Sequence, residues 1–200
     1  VRQNLDYFVE TPVDYFLILS GDQLYNMDYQ EMIRFAKTTD ADVVVASLPI
    51  NSSDAKRMGV LKIDGSHRIT EFVEKPQEEA ILQKLRQPVD GMTTPKKPFL
   101  GSMGIYVFKR EALLHFLEAE THADFGKHLI PSAVRQGKAA AYIYQGYWED
   151  IGTIGSFYEA NMALTKNEPD FDVYDEQWPI YSNRYNQIGR ASCRERVSNC

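Results

Sequence analysis

The sequence predicts an α/β fold with a mixed, mostly parallel sheet. Short apolar runs at residues 15–20, 41–49 and 100–108 indicate strands. Between them lie stretches whose apolar residues recur with helical spacing, such as 28–39 and 110–118. Strands that alternate with helices are typical of a largely parallel sheet, because parallel neighbours need a crossover connection.

The first half of the chain is predicted to contain three regions of strand and one helix. Residues 15–20 form an almost wholly apolar run, which is typical of a strand buried on both faces. Asp28 followed by Glu31 has a spacing similar to a capping box and predicts the start of a helix that ends near residue 39. The other elements are a buried strand at 41–49 and a hairpin formed by 59–63 and 68–74.

The second half continues the alternation. Pro131 must kink or shorten a helix predicted at 124–136, because proline lacks an amide N–H. A capping-box spacing at Ser156 and Glu159 predicts the last helix, which reaches Leu164. The remaining elements are a helix at 78–86, an exposed loop at 87–98, a strand at 100–108, a helix at 110–118 and a strand at 139–144.

Composition divides the chain into three regions. Residues 1–165 hold the alternating strands and helices, and we interpret them as a partial domain. Residues 166–187 are rich in Pro, Asp and aromatic side chains, which favours a connector that leaves this domain. Residues 188–200 carry three arginines and both cysteines, Cys193 and Cys200, without periodicity. We leave this tail unassigned and interpret it as foreign to the domain.

Charge and cysteine content exclude several classes of protein. The formal net charge is −6 and the pI is about 5.3, so non-specific binding to nucleic acid is not expected. The two cysteines provide no disulfide framework, which favours a reducing, cytoplasmic setting. No apolar run approaches the roughly 20 residues that cross a bilayer, so no membrane partner is expected.

Two predicted strand ends present charged residues. Asp22 follows the strand at 15–20, and ligands of open α/β sheets bind beyond the carboxyl ends of strands. Its alternative role is a turn aspartate that accepts from backbone amides. Glu74 and Lys75 end the hairpin, and Pro76 stiffens the exit. A lysine fixed there can hold a phosphate while the glutamate accepts from hydroxyls, and the alternative is a solvated charge pair.

Two further segments combine glycines with polar side chains. Asp150 stands between Trp148 and a glycine turn, and it is a candidate ligand for Mg²⁺, an ion that is usually held by one or two carboxylates. Its alternative role is a cap at the entry to the last helix. Ser102 lies between two glycines inside a strand, which indicates either close approach by a ligand or a bulge. The four histidines show no metal-ligand spacing.

Taken in order, these segments resemble one family, the glucose-1-phosphate adenylyltransferases of bacteria and plants. The resemblance covers approximately residues 14–185. It ends in PIYSNRYN (179–186), which is similar to the connector that leads to that family's left-handed β-helix domain. The other matching strings are SGDQLYNMDY (20–29), ADVVVASLP (41–49), GVLKID (59–64), FVEKP (72–76), GSMGIYVF (101–108), DFGKHLIP (124–131) and YWEDIGTIGSFYEANM (147–162).

The resemblance implies a Rossmann-like nucleotidyltransferase domain that joins ATP and glucose 1-phosphate, giving ADP-glucose for glycogen or starch and releasing pyrophosphate. By position, Asp22 and Asp150 resemble the aspartates that hold the catalytic Mg²⁺. Glu74 and Lys75 resemble the pair that contacts the glucose and its phosphate. The predicted catalytic residues are therefore Asp22, Lys75 and Asp150. The residues that resemble others lining the sugar site are Gly59, Ser102 and Trp148. The family also implies an allosteric, cytoplasmic homotetramer.

Parts of the family pattern are expected outside this sequence. The glycine-rich loop that grips the triphosphate and the first strand are expected before Val1, and the β-helix domain beyond Tyr185. We therefore expect the isolated stretch to be inactive. Since the base-reading residues are not included, a sister enzyme using UTP, dTTP or GTP stays open, as does a non-catalytic regulatory subunit. An unrelated glycosyltransferase would show Asp-x-Asp after a strand, whereas Gln23 follows Asp22 here.

Overall fold

The computed structural model describes residues 4–89, 92–119, 124–173 and 175. The chain divides into two compact units, Val1–Asp150 and Ile151–Cys200. The predicted tail at 188–200 and most of the predicted connector at 166–187 lie outside the described residues, so the predicted division of the chain stays a prediction. No helix that the structure describes combines the length and the apolar character needed to cross a membrane.

Most of the predicted elements are present, with bounds close to those expected from the sequence. The strands are β1 Tyr15–Ile18, β2 Gln23–Tyr25, β3 Val43–Ile50, β4 Gly59–Ile63, β5 Ile69–Glu74, β6 Phe99–Lys109, β7 Ala139–Ile143 and β8 Trp148–Asp150. The α-helices are α1 Leu5–Glu10, α2 Tyr29–Thr39, α3 Ser52–Ala55, α4 Glu79–Leu85, α5 Arg110–Ala119, α6 Ile130–Arg135 and α7 Ile154–Leu164. A π-helical turn, Phe125–Leu129, directly precedes α6.

The main sheet has six strands in the order β5-β4-β6-β3-β7, and β1 also pairs with β6. The α/β class is confirmed, but the expectation of a mostly parallel sheet is wrong. Among the described strands only β3 and β7 run parallel; the pairs β1–β6, β3–β6, β4–β5 and β4–β6 are antiparallel. The mixed sheet with helices on both faces agrees with the Rossmann-like domain that the resemblance implies.

Three of the four antiparallel pairs involve the long central strand β6. Along one edge β6 pairs with β3 from Phe99 to Phe108. Along its other edge it pairs with β4 near its start, at Leu100 and Gly101, and with β1 near its end, from Tyr106 onward. Because β6 opposes all three of its neighbours, it accounts for most of the antiparallel pairing, and the hairpin of β4 with β5 accounts for the rest.

Side chains of the sheet alternate between two faces, and helices cover both. On β3, Val43 and Val45 belong to a buried cluster with side chains of α5 and α6, whereas Val44 and Ala46 belong to a second cluster with side chains of α2. β3 is therefore buried on both faces, as its sequence predicts. Each such fully buried aliphatic side chain stabilises the fold by about 1.5–3 kcal/mol relative to exposure. The resulting rigid sheet holds the loops at its strand ends.

β1 departs from the sequence prediction. Residues 15–20 were expected to be buried on both faces, but every residue of β1 is only half-buried. Among the described strands, β1 pairs with β6 alone and so lies at an edge of the sheet. Its side chains pack partly against both clusters, Phe16 and Ile18 on one face and Tyr15 and Leu17 on the other.

The helix predicted at 124–136 is divided in two. Asp124 caps it as expected, accepting a hydrogen bond of 2.9 Å from the backbone N–H of Lys127. The first five residues form the π-helical turn, and α6 begins at Ile130. Pro131 falls in the first turn of α6, the part of a helix that best tolerates proline. The predicted helix is therefore interrupted next to the proline, where the π-helical turn gives way to α6.

The last helix begins three residues earlier than the prediction at Ser156. Its N-cap is Thr153, whose Oγ1 accepts from the backbone N–H of Ser156 at 3.1 Å. The Ser156 hydroxyl in turn accepts from the backbone N–H of Thr153 at 3.2 Å, completing a capping box. Ser156 is therefore the third helical residue and not the cap. The predicted end at Leu164 is confirmed.

Candidate active site

A short antiparallel ribbon brings the two predicted metal-binding aspartates to one place. β2 pairs with β8, and Gln23 stands directly opposite Asp150. Asp22 immediately precedes Gln23, so its backbone is one residue away from the position that faces Asp150. Neighbouring strands lie about 4.8 Å apart. The two residues, which are far apart in the sequence, therefore lie at the same end of the ribbon.

Both aspartates lie where a ligand can reach them. Asp22 is exposed, and its Oδ1 accepts a hydrogen bond of 2.8 Å from the hydroxyl of Ser20. Asp150 is half-buried at the end of β8. The alternative role of Asp150 as a helix cap is wrong, because the cap of α7 is Thr153. Capping of α7 therefore does not account for Asp150.

Gln23 belongs to the candidate site, although no motif in the sequence predicts it. Its amide donates to the backbone carbonyl of Met103 on β6 and accepts from the indole N–H of Trp148 at 3.3 Å. Gln23 thus joins the acidic ribbon to the main sheet and fixes the ring of Trp148 at the same time. No local signal marks this role, since the two contacts cross 80 and 125 positions of the chain.

The segment around Ser102 forms a bulge, one of the two interpretations that the sequence left open. Val45 pairs with Tyr106 and Ser47 with Ser102, so three residues of β6 oppose the single residue between them on β3. Gly104 has a φ of +70°, which a side chain rarely tolerates. The Ser102 hydroxyl is buried and accepts from the N–H of Gly104 at 3.3 Å. Ser102 therefore helps to hold the bulge that contains the Met103 carbonyl, the acceptor for Gln23.

Glu74 lies at the end of β5, directly opposite Gly59 on β4. Its side chain is only 23% exposed, and its Oε1 lies 3.9 Å from the Nζ of Lys75. Burial raises the pKa of the Glu74 carboxyl, and the nearby ammonium of Lys75 partly opposes this shift. A partly dehydrated carboxylate beside a cation is well suited to accept hydrogen bonds from neutral hydroxyl groups.

Lys75 adopts an uncommon backbone conformation. Its φ is +48°, in the left-handed region that is unfavourable for a residue with a side chain. The backbone N–H of Lys75 donates to the carbonyl of Met58 at 3.1 Å, which holds the residue in place. The following Pro76 also disfavours the right-handed helical region for Lys75. Such strain is concentrated at functional sites, and here it presents an ammonium that is 60% exposed.

The π-helical turn is a second part of the site that the sequence analysis missed. The carboxylate of Asp124 raises the pKa of Glu74, and the ammonium of Lys127 lowers it. The ring of Phe125 stacks on that of Tyr106, with centroids 5.6 Å apart and an angle of 9° between the planes. The sequence suggested only a capped helix here, although π-helical turns occur frequently at functional sites.

Residues 57–59, which lead into β4 and include its first residue, interact with both groups of predicted site residues. Arg57 donates to Asp54 at 2.8 Å. This hydrogen bond is the main reason that the pKa of the guanidinium is raised, and the carboxylates of Glu149 and Asp150 raise it further. The next two residues, Met58 and Gly59, contact Lys75 and Glu74 respectively. This three-residue segment therefore contacts the Glu74–Lys75 pair directly and interacts with the acidic ribbon through the charge of Arg57.

The donor set fits a metal site that substrate completes. Among the described residues, no group of three or more His, Cys, Asp or Glu side chains is placed to hold a metal ion. Asp22 and Asp150 therefore provide two carboxylates at most. This is the usual protein share of a magnesium site, in which phosphate oxygens and water supply the other ligands.

A comparison with models of protein families identifies the family of this chain. The family model described as nucleotidyl transferase matches residues 1–167. This chain belongs to the nucleotidyl transferase family. The matched region contains every predicted site residue, from Asp22 to Asp150. Membership supports a transferase activity of the sugar-phosphate nucleotidyltransferase class, without deciding which nucleotide or which sugar is used.

Proposed function

We propose that this nucleotidyltransferase makes ADP-glucose from ATP and α-D-glucose 1-phosphate, releasing pyrophosphate. The observation that carries the proposal is the half-buried carboxylate of Glu74 beside the exposed ammonium of Lys75, in a chain that matches the nucleotidyl transferase family over residues 1–167. In this proposal a sugar phosphate held at Lys75 meets a nucleotide whose phosphates share a magnesium ion with Asp22 and Asp150. The choice of glucose and of ATP rests on the sequence resemblance over residues 14–185.

The acceptor side of the reaction needs binding and orientation more than proton transfer, because the sugar phosphate is already a competent nucleophile. In this proposal the ammonium of Lys75 holds the phosphate as a point charge. Glu74 accepts from glucose hydroxyls, and its partial burial strengthens those hydrogen bonds. Gly59, Ser102 and Trp148 line the sugar. Holding two anions in line in this way removes much of the entropic cost of their reaction.

Asp22 and Asp150 would hold the Mg²⁺ ion. The ion would supply positive charge that neutralises the phosphate oxygens as pyrophosphate departs. The contribution of the chain is to keep the two carboxylates together through the pairing of β2 with β8 and through Gln23. The homotetramer and the cytoplasmic location stay predictions from the resemblance.

Two other functions are tested by the same assay. The first is a sister enzyme that uses UTP, dTTP or GTP. The second is a regulatory subunit without catalysis, which the presence of Asp22, Lys75 and Asp150 disfavours. Pyrophosphate release from the full-length protein would be measured with each nucleotide and glucose 1-phosphate. We expect turnover with ATP, whereas a preference for another nucleotide would contradict the adenylyl assignment.

Variants then test the residue roles. Asp150→Asn keeps the size of the side chain and removes its charge, so we expect turnover to fall by at least a hundredfold, the loss typical of one electrostatic contact in a transition state. Asp40→Asn, at an exposed carboxylate that pairs with Lys109 away from the site, is the matched control and should leave turnover unchanged. Equal activity of the two variants would refute the catalytic assignment.

A further inference from the structure

The carboxylate of Glu74 lies in a slot between two glycine backbones that belong to different elements. Gly59 faces it from β4, and Gly126 faces it from the π-helical turn. A Cβ built on Gly59 would lie 2.8 Å from Glu74 Oε2. A Cβ built on Gly126 would lie 2.5 Å from the same oxygen and 2.9 Å from Cδ. Neither position can carry a side chain unless the carboxylate moves.

At Gly126 the conflict would be with the carboxylate first of all. The three heavy atoms nearest to the position of the added Cβ all belong to Glu74, at 2.5, 2.9 and 3.4 Å. At Gly59, by contrast, the nearest atom is Cζ of Phe72, at 2.5 Å. Substitution of Gly59 would therefore disturb apolar packing together with the carboxylate. Gly126 is the position at which the slot can be closed without first contacting a core side chain.

The π-helical turn is held more firmly than the side chain that it faces. The carboxylate of Asp124 caps the turn through the N–H of Lys127, and Phe125 packs against Tyr106 and Phe108 with ring centroids 5.6 and 5.7 Å apart. Gly126 itself is buried. The end of a glutamate side chain rotates far more easily than this backbone moves. An added methyl group would therefore displace Glu74 and leave the turn in place.

We propose that Gly126 is a positioning residue of the acceptor site. Its lack of a side chain lets the Glu74 carboxylate stand against the turn, with Oε1 directed towards Lys75. In this position the carboxylate can receive sugar hydroxyls while the ammonium holds the phosphate of the same molecule. The inference rests on the proposed function, in which Glu74 contacts the sugar of the acceptor.

Gly126→Ala in the full-length protein tests the proposal. We expect KM for glucose 1-phosphate to rise roughly tenfold or more, the effect of losing one hydrogen bond to a charged group. KM for the nucleotide should stay within about twofold of its original value. Because the displaced carboxylate regains water, the acid limb of the pH profile should move to lower pH. Gly65→Ala is the matched control, since a Cβ there meets no atom within 4 Å.

A shorter acid provides a second, independent measurement. Glu74→Asp withdraws the carboxylate by one methylene, so Gly126→Ala should cost much less in that background than in the original protein. If Gly126→Ala alone fails to fold, recovery of folding in the double variant would support the proposal. An unchanged KM in Gly126→Ala, equal costs in both backgrounds, or a double variant that stays unfolded would overturn it. If the original protein does not bind glucose 1-phosphate, the proposed function fails instead.

Discussion

Replacing Lys75 by glycine should stabilise the fold and weaken acceptor binding at the same time. Lys75 has a φ of +48°, and the left-handed region costs a residue with a Cβ about 1–2 kcal/mol. Glycine relieves this strain but also lowers stability by roughly 0.5–1 kcal/mol, because it gives the unfolded chain more conformational freedom. The ion pair with Glu74 is long, at 3.9 Å, and its lysine end is 60% exposed, so its loss costs little. The expected net gain is about 0.5–1 kcal/mol.

Lys75→Ala separates the two effects, because it removes the same ammonium but keeps the Cβ that causes the strain. Urea denaturation would compare the free energies of unfolding, and calorimetry would compare binding of glucose 1-phosphate. We expect both variants to lose at least tenfold in affinity, and only the glycine variant to become more stable than the original protein. Equal stability of the two variants would refute the argument from backbone strain. Retained affinity in both would show that Lys75 does not hold the phosphate.

Three other predictions concern stability. Burial raises the folded-state pKa of Glu74. The contribution of this group to stability is therefore fully present below the ordinary glutamate pKa and is lost as pH rises through the raised value. Glu74→Gln should remove this pH dependence from the urea midpoint measured across that window. Thr153→Ala removes the cap of α7 and should lower the free energy of unfolding by about 1 kcal/mol, measured by urea denaturation. Leu113→Ala creates a cavity in the larger core cluster and should cost about 2–5 kcal/mol, whereas Tyr7→Ala, at a side chain that is 73% exposed, should cost less than about 0.5 kcal/mol.

The sequence predicted the elements of the fold better than their arrangement. Apolar runs identified β1, β3 and β7 because local periodicity reports local conformation. The direction of β6 was not predictable in this way. It depends on pairing with β1, β3 and β4, which are distant in the sequence, and an apolar strand looks the same whichever way it runs. The degree of burial of β1 also depends on its neighbours and not on its own residues.

The same distinction holds for the candidate site. Glu74, Lys75 and Asp150 could be named from short strings, since a motif carries its own local context. Gln23 and Gly126 could not. One acts through contacts with Met103 and Trp148, and the other through a carboxylate on a different element. Thr153 and Ser156 are both favourable caps by local chemistry, and in the structure the two reciprocal hydrogen bonds between them make Thr153 the cap of α7.

The pairing of β2 with β8 also has a consequence for the order of folding. Within this ribbon Gln23 and Trp148 form a side-chain hydrogen bond although they are 125 positions apart. Closing a loop of that length in a free chain costs about 4 kcal/mol of entropy. Three paired positions cannot offset this cost alone. The ribbon can form only after the main sheet has drawn its ends together, so it should be the last part of this unit to fold and the first to exchange amide hydrogens.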